Sequence, residues 1–201
     1  MTDVLQVLHV CTANLCRSPI AEHLMRRGLE DRLGPHAGSV VVASAGTWGH
    51  TGAGMHPATR VSLSHFGVDS STFRTRELLA EQVSAADLVL TATRKHRAAA
   101  VVLHPRAAVR TFTLLEFERL CQGVQEHGLP HGGLVERGRA LVAAARAQRG
   151  VSAPGVPGDD DLADPYGRSS AAFTACAHRV RLALHRPLDL LAGTGRPARG
   201  W

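Results

Sequence analysis

Short apolar runs alternate with amphipathic segments along the first 120 residues. The runs predict strands at residues 4–10, 40–43, 87–91 and 109–113. The segments between them predict helices at residues 19–33, 57–66, 76–82, 94–103 and 115–120. Strands that alternate with helices are typical of a parallel sheet covered on both faces. We therefore expect an α/β protein with an open four-stranded parallel sheet and helices on both faces.

The last third of the chain has a different pattern. Gly, His and Pro cluster at 128–133, an Ala/Arg-rich helix is predicted at 134–149, and Gly and Pro return at 150–158. An acidic, turn-rich stretch precedes a helix that starts at Ser169 and that Pro187 is expected to break or kink. One apolar face of this helix carries Phe173, Cys176, Val180 and Leu184. We expect a single domain over 1–201 with a frayed tail at 193–201, which ends in Trp201.

Composition and charge argue against several classes of function. The formal net charge is +6, but the arginines are scattered and aromatic residues are only 4%, which argues against nucleic acid as a partner. The sequence contains no run of eighteen apolar residues, so no membrane span is predicted. The start Met1-Thr2-Asp3 lacks the features of a signal peptide. A cytoplasmic protein is expected. Its four cysteines have no zinc-type spacing and should be thiols.

The segment Val10-Cys-Thr-Ala-Asn-Leu-Cys-Arg-Ser18 carries the clearest chemistry. Five residues separate Cys11 from Arg17, between a predicted strand and a helix with Pro19 in its first turn. A helix start offers unpaired N–H groups to an anion, and a thiol placed there is favoured as thiolate. Arg17 adds a planar fork of donors that matches phosphate oxygens. A strand-terminal cysteine is often only a small core residue, but this context favours a phosphate-binding loop with a nucleophile.

The residues themselves resemble a known family. Cys11 to Glu22 is similar to the phosphate loop of low-molecular-weight protein tyrosine phosphatases, and Asp164-Pro165-Tyr166 resembles their general-acid loop. Further similarity lies in three short segments, residues 44–47, 87–91 and 93–97. The resemblance covers 4–120 and 160–185 and implies a flavodoxin-like fold, with 121–158 as an insertion.

The resemblance implies a reaction and assigns its residues. Cys11 attacks phosphorus, Arg17 and the loop hold the phosphoryl oxygens, and Asp164 is acid and then base. Ser18 donates to the sulfur. The implied substrate is a phosphotyrosine-containing protein and the product is inorganic phosphate, with no metal and no cofactor. Three neighbouring acids, expected to form a solvated loop, compete with Asp164 for its role: Asp159, Asp160 and Asp161.

Other loop residues follow the family pattern or depart from it. The predicted phosphate- and substrate-binding residues are Thr12, Ala13, Asn14, Leu15, Cys16, Ser18, Trp48 and Tyr166. Asn14 suits a left-handed backbone position, and Cys16 is implied to form a reversible disulfide with Cys11. The family has Gly at the Ala13 position, where a Cβ at positive φ would be strained.

Two further differences from the pattern concern the loop brace and the substrate. Phe73 stands where relatives carry a histidine that braces the loop Asn, and Ser44 is an alternative brace. Leu15 stands where a phosphoarginine-directed branch has Thr, which favours an aryl phosphate. Trp48 and Tyr166 are predicted to form walls that stack on a substrate ring.

Two other functions remain open at this stage. An arsenate reductase on the same fold needs two more cysteines about 70–80 residues after the nucleophile, a spacing that this chain lacks between Cys16 and Cys121. A catalytically inactive phosphate-binding module would not need both Cys11 and Arg17 intact.

Overall fold

The computed structural model describes residues 4–49, 51–153, 156 and 158–193. Its strands are β1 (Leu5–Cys11), β2 (Val40–Gly46), β3 (Leu88–Thr91) and β4 (Thr111–Thr113). Its α-helices are α1 (Arg17–Leu33), α2 (Pro57–Ser64), α3 (Ala80–Ala85), α4 (Arg94–Leu103), α5 (Leu114–Gln122), α6 (Leu134–Ala147) and α7 (Ser170–Ala192). The strands are parallel in the order β2-β1-β3-β4, which confirms the expected sheet.

Alternation along β1 separates two apolar cores. Leu5 and Val7 face the larger core, which includes residues of α1, α5, α6 and α7. Leu8 and Val10 face a smaller core with residues of α3 and α4. Helices therefore cover both faces of the sheet, as predicted. The carboxyl end of β1 lies between β2 and β3, where an open α/β sheet forms its binding crevice.

Helix α1 lies against the sheet through the residues that its pattern predicted. The side chains of Ala21, Leu24, Met25 and Leu29 are all buried. The helix ends at Gly34, whose φ of 53° lies in the left-handed region that glycine adopts readily. Sequence and structure thus agree on the element that starts at the phosphate loop.

Two predicted elements were misplaced by the sequence pattern. The short helix expected at 76–82 lies at Ala80–Ala85, because residues 76–78 pair with the end of β2 through Gly46 N–H to Arg76 O (2.9 Å) and Leu78 N–H to Gly46 O (2.8 Å). The fourth strand starts at Thr111 rather than 109, after a 3₁₀ helix over Pro105–Arg110. In the first case tertiary pairing overrides local preference, and in the second the 3₁₀ helix takes up the first two residues of the predicted strand.

Pro187 does not break the last helix, so that part of the expectation was wrong, while the alternative of a kink stays a prediction. Helix α7 continues through Pro187 to Ala192. Pro187 is itself buried, and Leu188, Leu190 and Leu191 after it are core residues. Burial of this last turn outweighs the backbone hydrogen bond that proline removes. The predicted face of α7 (Phe173, Cys176, Val180 and Leu184) is buried as expected.

The segment 121–158 contributes α6, which packs far from the crevice. Gly138 of α6 faces the side chain of Leu5, at the amino-terminal end of β1. The prediction that this segment is an insertion stays a prediction. The predicted frayed tail lies, from residue 194 on, outside the described residues, as does Trp201. No helix in the described ranges has the length and apolarity to cross a membrane.

His9 should make stability sensitive to acid. It is buried in β1 with Nε2 3.3 Å from Met25 Sδ, and burial, with a smaller effect of Arg26, lowers its pKa to about 3. Between pH 6.5 and 3 the unfolded chain binds a proton that the native His9 does not, so stability falls as pH falls. We expect His9→Leu to reduce that slope of unfolding free energy by about 1.4 kcal/mol per pH unit, measured by urea unfolding at several pH values. Exposed His36→Leu is the control, and equal slopes in both variants would contradict the prediction.

Candidate active site

The loop of residues 12–16, which joins β1 to α1, turns on one left-handed residue. Asn14 has φ 57° and is the one non-glycine residue at positive φ in the described chain. This confirms the prediction for Asn14. It also means that Ala13 is not at positive φ, so the strain expected there is absent.

The side-chain amide of Asn14 stabilises this turn through hydrogen bonds of both its oxygen and its nitrogen. Its Oδ1 accepts from the backbone N–H of Arg76 at 2.9 Å. Its Nδ2 donates to Ser18 Oγ at 2.9 Å and to Ser44 Oγ at 2.7 Å. Phe73 is buried in the core and contacts the ring of His23 edge-on. Ser44 and the Arg76 amide therefore brace the loop in a chain that lacks the family histidine.

A buried carboxylate sets the direction of this network. Glu22 is 1% exposed, accepts from Ser44 Oγ at 2.5 Å and pairs with Arg26 at 2.6 Å. Because a carboxylate only accepts, Ser44 donates to it and must accept from Asn14. Asn14 then donates its second hydrogen to Ser18.

Ser18 is the last member of the network before the cysteine. Since it accepts from Asn14, its own hydrogen is free for Cys11 Sγ at 3.0 Å or the Ala45 carbonyl at 3.3 Å. The shorter of the two contacts is the one to Cys11 Sγ, which agrees with the donor role predicted for Ser18.

The loop directs its backbone carbonyls outward and leaves its amides unpaired. The carbonyls of Cys11, Thr12 and Leu15 accept from backbone N–H groups of residues 47, 48 and 56 at 2.9–3.1 Å. No backbone N–H of residues 13–16 donates to a group in the described ranges. Successive unpaired amides at a helix start form a site for an anion.

Arg17 lies on the floor of the same site. Its Nη1 donates to the Leu162 carbonyl and its Nη2 to Thr12 Oγ1, both at 3.3 Å. Nη2 also pairs with Asp164 Oδ2 at 2.5 Å. The buried Nε has no partner in the described structure. Nε and Nη2 lie on the same edge of the guanidinium. Because Nε has no described partner and Nη2 pairs with a loop carboxylate, this edge can donate two hydrogen bonds to an oxyanion.

The structure separates the four aspartates of the acidic stretch. Asp164 reaches Arg17, whereas Asp161 accepts from the Arg94 amide at 2.8 Å and Asp159 from the Val156 amide at 2.7 Å. Asp160 is nearly buried and pairs with Arg119 through both oxygens at 3.1 and 2.8 Å. The expectation of a solvated loop is thus wrong for Asp160, which anchors the segment to α5.

These residues enclose a pocket of about 470 Å³ at the carboxyl end of β1. The described residues that line it are Cys11, Thr12, Ala13, Leu15, Cys16, Arg17, Trp48, Gly49, Ala53, Asp164 and Tyr166. Trp48 and Tyr166 are 75% and 62% exposed, as expected for side chains at the rim. The Tyr166 ring contacts His56, which stacks on Phe173 at 4.7 Å. The predicted site residues therefore lie together, with Asn14 and Ser18 behind the pocket.

The remaining cysteines are buried thiols. Burial raises the pKa of Cys16 to about 11, against a smaller opposite effect of a hydrogen bond from Thr59. Burial also raises the pKa of Cys121, and that of Cys176 to about 12. The disulfide between Cys11 and Cys16 stays a prediction. Within the described ranges no cluster of potential metal ligands is present.

Sequence reasoning missed the residues that support the loop. Glu22 was part of the motif but had no assigned role, although its i,i+4 spacing from Arg26 could have indicated the ion pair between them. His96 lies in the family-like segment 93–97, but its contact with Thr12 Oγ1 at 2.9 Å was not predictable because 84 residues separate the two.

Comparisons with known proteins agree with this geometry. The sequence model of the family "low molecular weight phosphotyrosine protein phosphatase" matches residues 6–128. A probable low molecular weight protein-tyrosine-phosphatase EpsP of Ralstonia nicotianae is 33% identical over 113 residues, 56% of this chain and 72% of that protein. A protein-arginine-phosphatase of Geobacillus stearothermophilus is 33% identical over 135 residues, 67% of this chain and 84% of that protein.

A solved structure extends the similarity to the fold. The YwlE arginine phosphatase from G. stearothermophilus superposes with a TM-score of 0.65 at 24% identity, covering 92% of this chain and 91% of that one. The family match spans β1 to β4 and α5 and includes the whole phosphate loop. The chain therefore belongs to the low molecular weight phosphotyrosine protein phosphatase family, a family of hydrolases.

Proposed function

We propose that this phosphatase hydrolyses phosphotyrosine in proteins through a cysteinyl-phosphate intermediate. One observation carries the proposal. Cys11 Sγ, held by Ser18, shares a pocket with unpaired loop amides and with Arg17, whose Nε is buried without a described partner. Donors that are fixed before the reaction stabilise charge that develops in the transition state.

The first step forms the S–P bond and breaks the bond between phosphorus and the phenolic oxygen. A phosphoryl group that binds Arg17 competes with Asp164 for Nη2 and releases that side chain toward the leaving group. Once released from Arg17, Asp164 takes up a proton from solvent and gives it to the departing phenolate. In the second step water, deprotonated by Asp164, attacks phosphorus, and the thiolate leaves with a hydrogen bond from Ser18.

The pocket walls favour an aryl group over a guanidinium. Relatives named as tyrosine phosphatases and as an arginine phosphatase are equally similar in sequence, so they do not decide the substrate. Leu15, Ala53 and Trp48 present mainly apolar surface. Asp164 is the one acidic residue among the described lining residues, and in the proposed first step it is protonated and serves the leaving group. An N-phosphorylated guanidinium would leave most of its N–H donors without acceptors, which is costly.

Substitution of Cys11 and Asp164 tests the mechanism. We expect the wild-type protein to hydrolyse p-nitrophenyl phosphate without added metal. Cys11→Ser should abolish this activity. Asp164→Ala should lower kcat by about 10²–10⁴-fold on phosphotyrosine peptide, but less on p-nitrophenyl phosphate, whose leaving group is more acidic and needs less help from an acid. Exposed Asp159→Ala is the matched control. Rapid acid quench and mass spectrometry should find one phosphoryl group on the Cys11 peptide.

Other outcomes would overturn parts of this scheme. Activity of Cys11→Ser equal to that of the wild type would show that Cys11 is not the nucleophile. An unchanged rate in Asp164→Ala would show that Asp164 is not the acid. Arsenate-dependent thiol consumption without aryl phosphate turnover would favour arsenate reduction.

Leu15→Thr tests the substrate class. The wild type should prefer a phosphotyrosine peptide over a phosphoarginine peptide of the same sequence by at least about tenfold in kcat/KM, because an apolar wall contact contributes 1–3 kcal/mol. Leu15→Thr should lower that ratio, whereas Leu182→Thr, at an exposed leucine of α7, should leave it unchanged. A wild-type preference for phosphoarginine would contradict the assignment.

Gly46 of β2 should be essential to the shape of the loop. A Cβ there would lie 2.6 Å from the Thr12 carbonyl oxygen and 2.9 Å from Asn14 N, both backbone atoms that cannot turn away. Since displacements near 1 Å can cost about 100-fold in rate, Gly46→Ala should lower kcat/KM by that order. Gly38→Ala, where a Cβ meets nothing within 4 Å, is the control. Equal activity of the two variants would show that the loop tolerates the shift.

A further inference from the structure

His96 contacts the phosphate loop from outside it. The residue lies in the first turn of α4 and is 8% exposed. Its Nε2 is 2.9 Å from Thr12 Oγ1, and its Nδ1 is 2.8 Å from Oγ1 of Thr93, the N-cap of the same helix. Thr12 Oγ1 also accepts from Arg17 Nη2 at 3.3 Å. An unbroken hydrogen-bonded chain therefore runs from the start of α4 to the guanidinium.

Thr12 differs from the other two contacts that hold Arg17. Asp164 and the Leu162 carbonyl both belong to the acidic segment. In the proposed mechanism Asp164 leaves Arg17 when the phosphoryl group arrives, and Leu162 is only two residues away from it. Thr12 belongs to the loop itself and is tied to α4 through His96. It is thus the contact that can keep the guanidinium oriented throughout the reaction.

The direction of the chain follows from the charge of Arg17. Burial lowers the pKa of His96 to about 4, and Arg17 acts in the same sense, while Asp164 and Asp161 oppose it. The neutral ring has one donor and one acceptor. The positive guanidinium favours the lone pair on Nε2, the nitrogen that faces Thr12. Nδ1–H then donates to Thr93, Thr12 donates to Nε2, and a lone pair of Thr12 remains for Arg17.

We propose that His96 is a positioning residue that acts through Thr12 to orient Arg17 for the phosphoryl oxygens. It touches neither the sulfur nor the substrate. The inference rests on the proposed function, because it concerns how the phosphoryl group is held.

The test compares two amides that differ in reach. In His96→Gln the side-chain oxygen extends as far as Nε2 and can still accept from Thr12, whereas in His96→Asn it ends near Nδ1. We expect His96→Asn and Thr12→Val each to raise the Kd for inorganic phosphate, measured by calorimetry, and the KM for phosphotyrosine peptide by about tenfold. His96→Gln should stay within about threefold of wild type. The double variant should bind phosphate no more weakly than the worse single variant, since both break one chain.

A matched control and a spectroscopic readout separate positioning from structural damage. His104→Asn, at the C-cap of the same helix, should leave both constants unchanged. Ring nitrogen shifts from NMR should show the Nδ1–H tautomer of His96. Three outcomes would overturn the proposal. One is a proton on Nε2 of His96, and another is a loss of binding in the double variant equal to the product of the two single losses. The third is that His96→Gln weakens binding as much as His96→Asn does.

Its failure is distinct from failure of the proposed function. Unchanged phosphate binding in His96→Asn and Thr12→Val, with an active wild type, would overturn only the role of His96. A wild type that neither binds phosphate nor hydrolyses aryl phosphate would overturn the proposed function as well.

Discussion

The left-handed turn at Asn14 is the constraint on which the rest of the site depends. With φ near 57°, the chain reverses within five residues; the carbonyls of Thr12 and Leu15 accept from neighbouring segments, while no backbone N–H of residues 13–16 has a partner in the described ranges. Such a conformation costs about 1–2 kcal/mol for a residue with a Cβ, so it persists only where other contacts hold it. Those contacts are the hydrogen bonds at both ends of the Asn14 amide, to the Arg76 N–H on one side and to Ser18 and Ser44 on the other.

Two charge pairs lie on opposite sides of the thiol. Behind the loop, the buried Glu22 pairs with the exposed Arg26, and the inability of its carboxylate to donate orients the hydrogen bonds that end at Ser18 and Cys11. In front of it, Arg17 pairs with Asp164. The first pair is part of the fold, while in the second the Asp164 carboxylate is half-exposed. In the proposed mechanism a phosphoryl oxygen replaces that carboxylate, so that anion binding and release of Asp164 are linked through one guanidinium.

The acidic segment reaches the pocket because its neighbours are tied down. Asp160 pairs with Arg119 of α5, Asp161 accepts from the Arg94 amide, and the Leu162 N–H donates to the Ala92 carbonyl at 2.8 Å. These contacts attach the segment to the ends of β3 and α4. Asp164 lies beyond the last of them, where its half-exposed side chain pairs with Arg17 and accepts from the Tyr166 amide at 3.2 Å. The extra helix α6 packs against the opposite end of β1 and leaves the crevice open.

Local patterns alone determined the presence of four parallel strands, the end of α1 and the strand–loop–helix motif from Cys11 to Arg17, because apolar periodicity and helix-end signals act within a few residues. They misplaced α3 and ended α7 too early, since long-range pairing with Gly46 and burial of Leu188 and Leu191 outweighed local preference. Tertiary structure also decided which aspartate meets Arg17, how Glu22 connects to Cys11 and why His96 touches Thr12. These contacts join residues up to 147 positions apart, and no pattern within a single segment encodes such a distance.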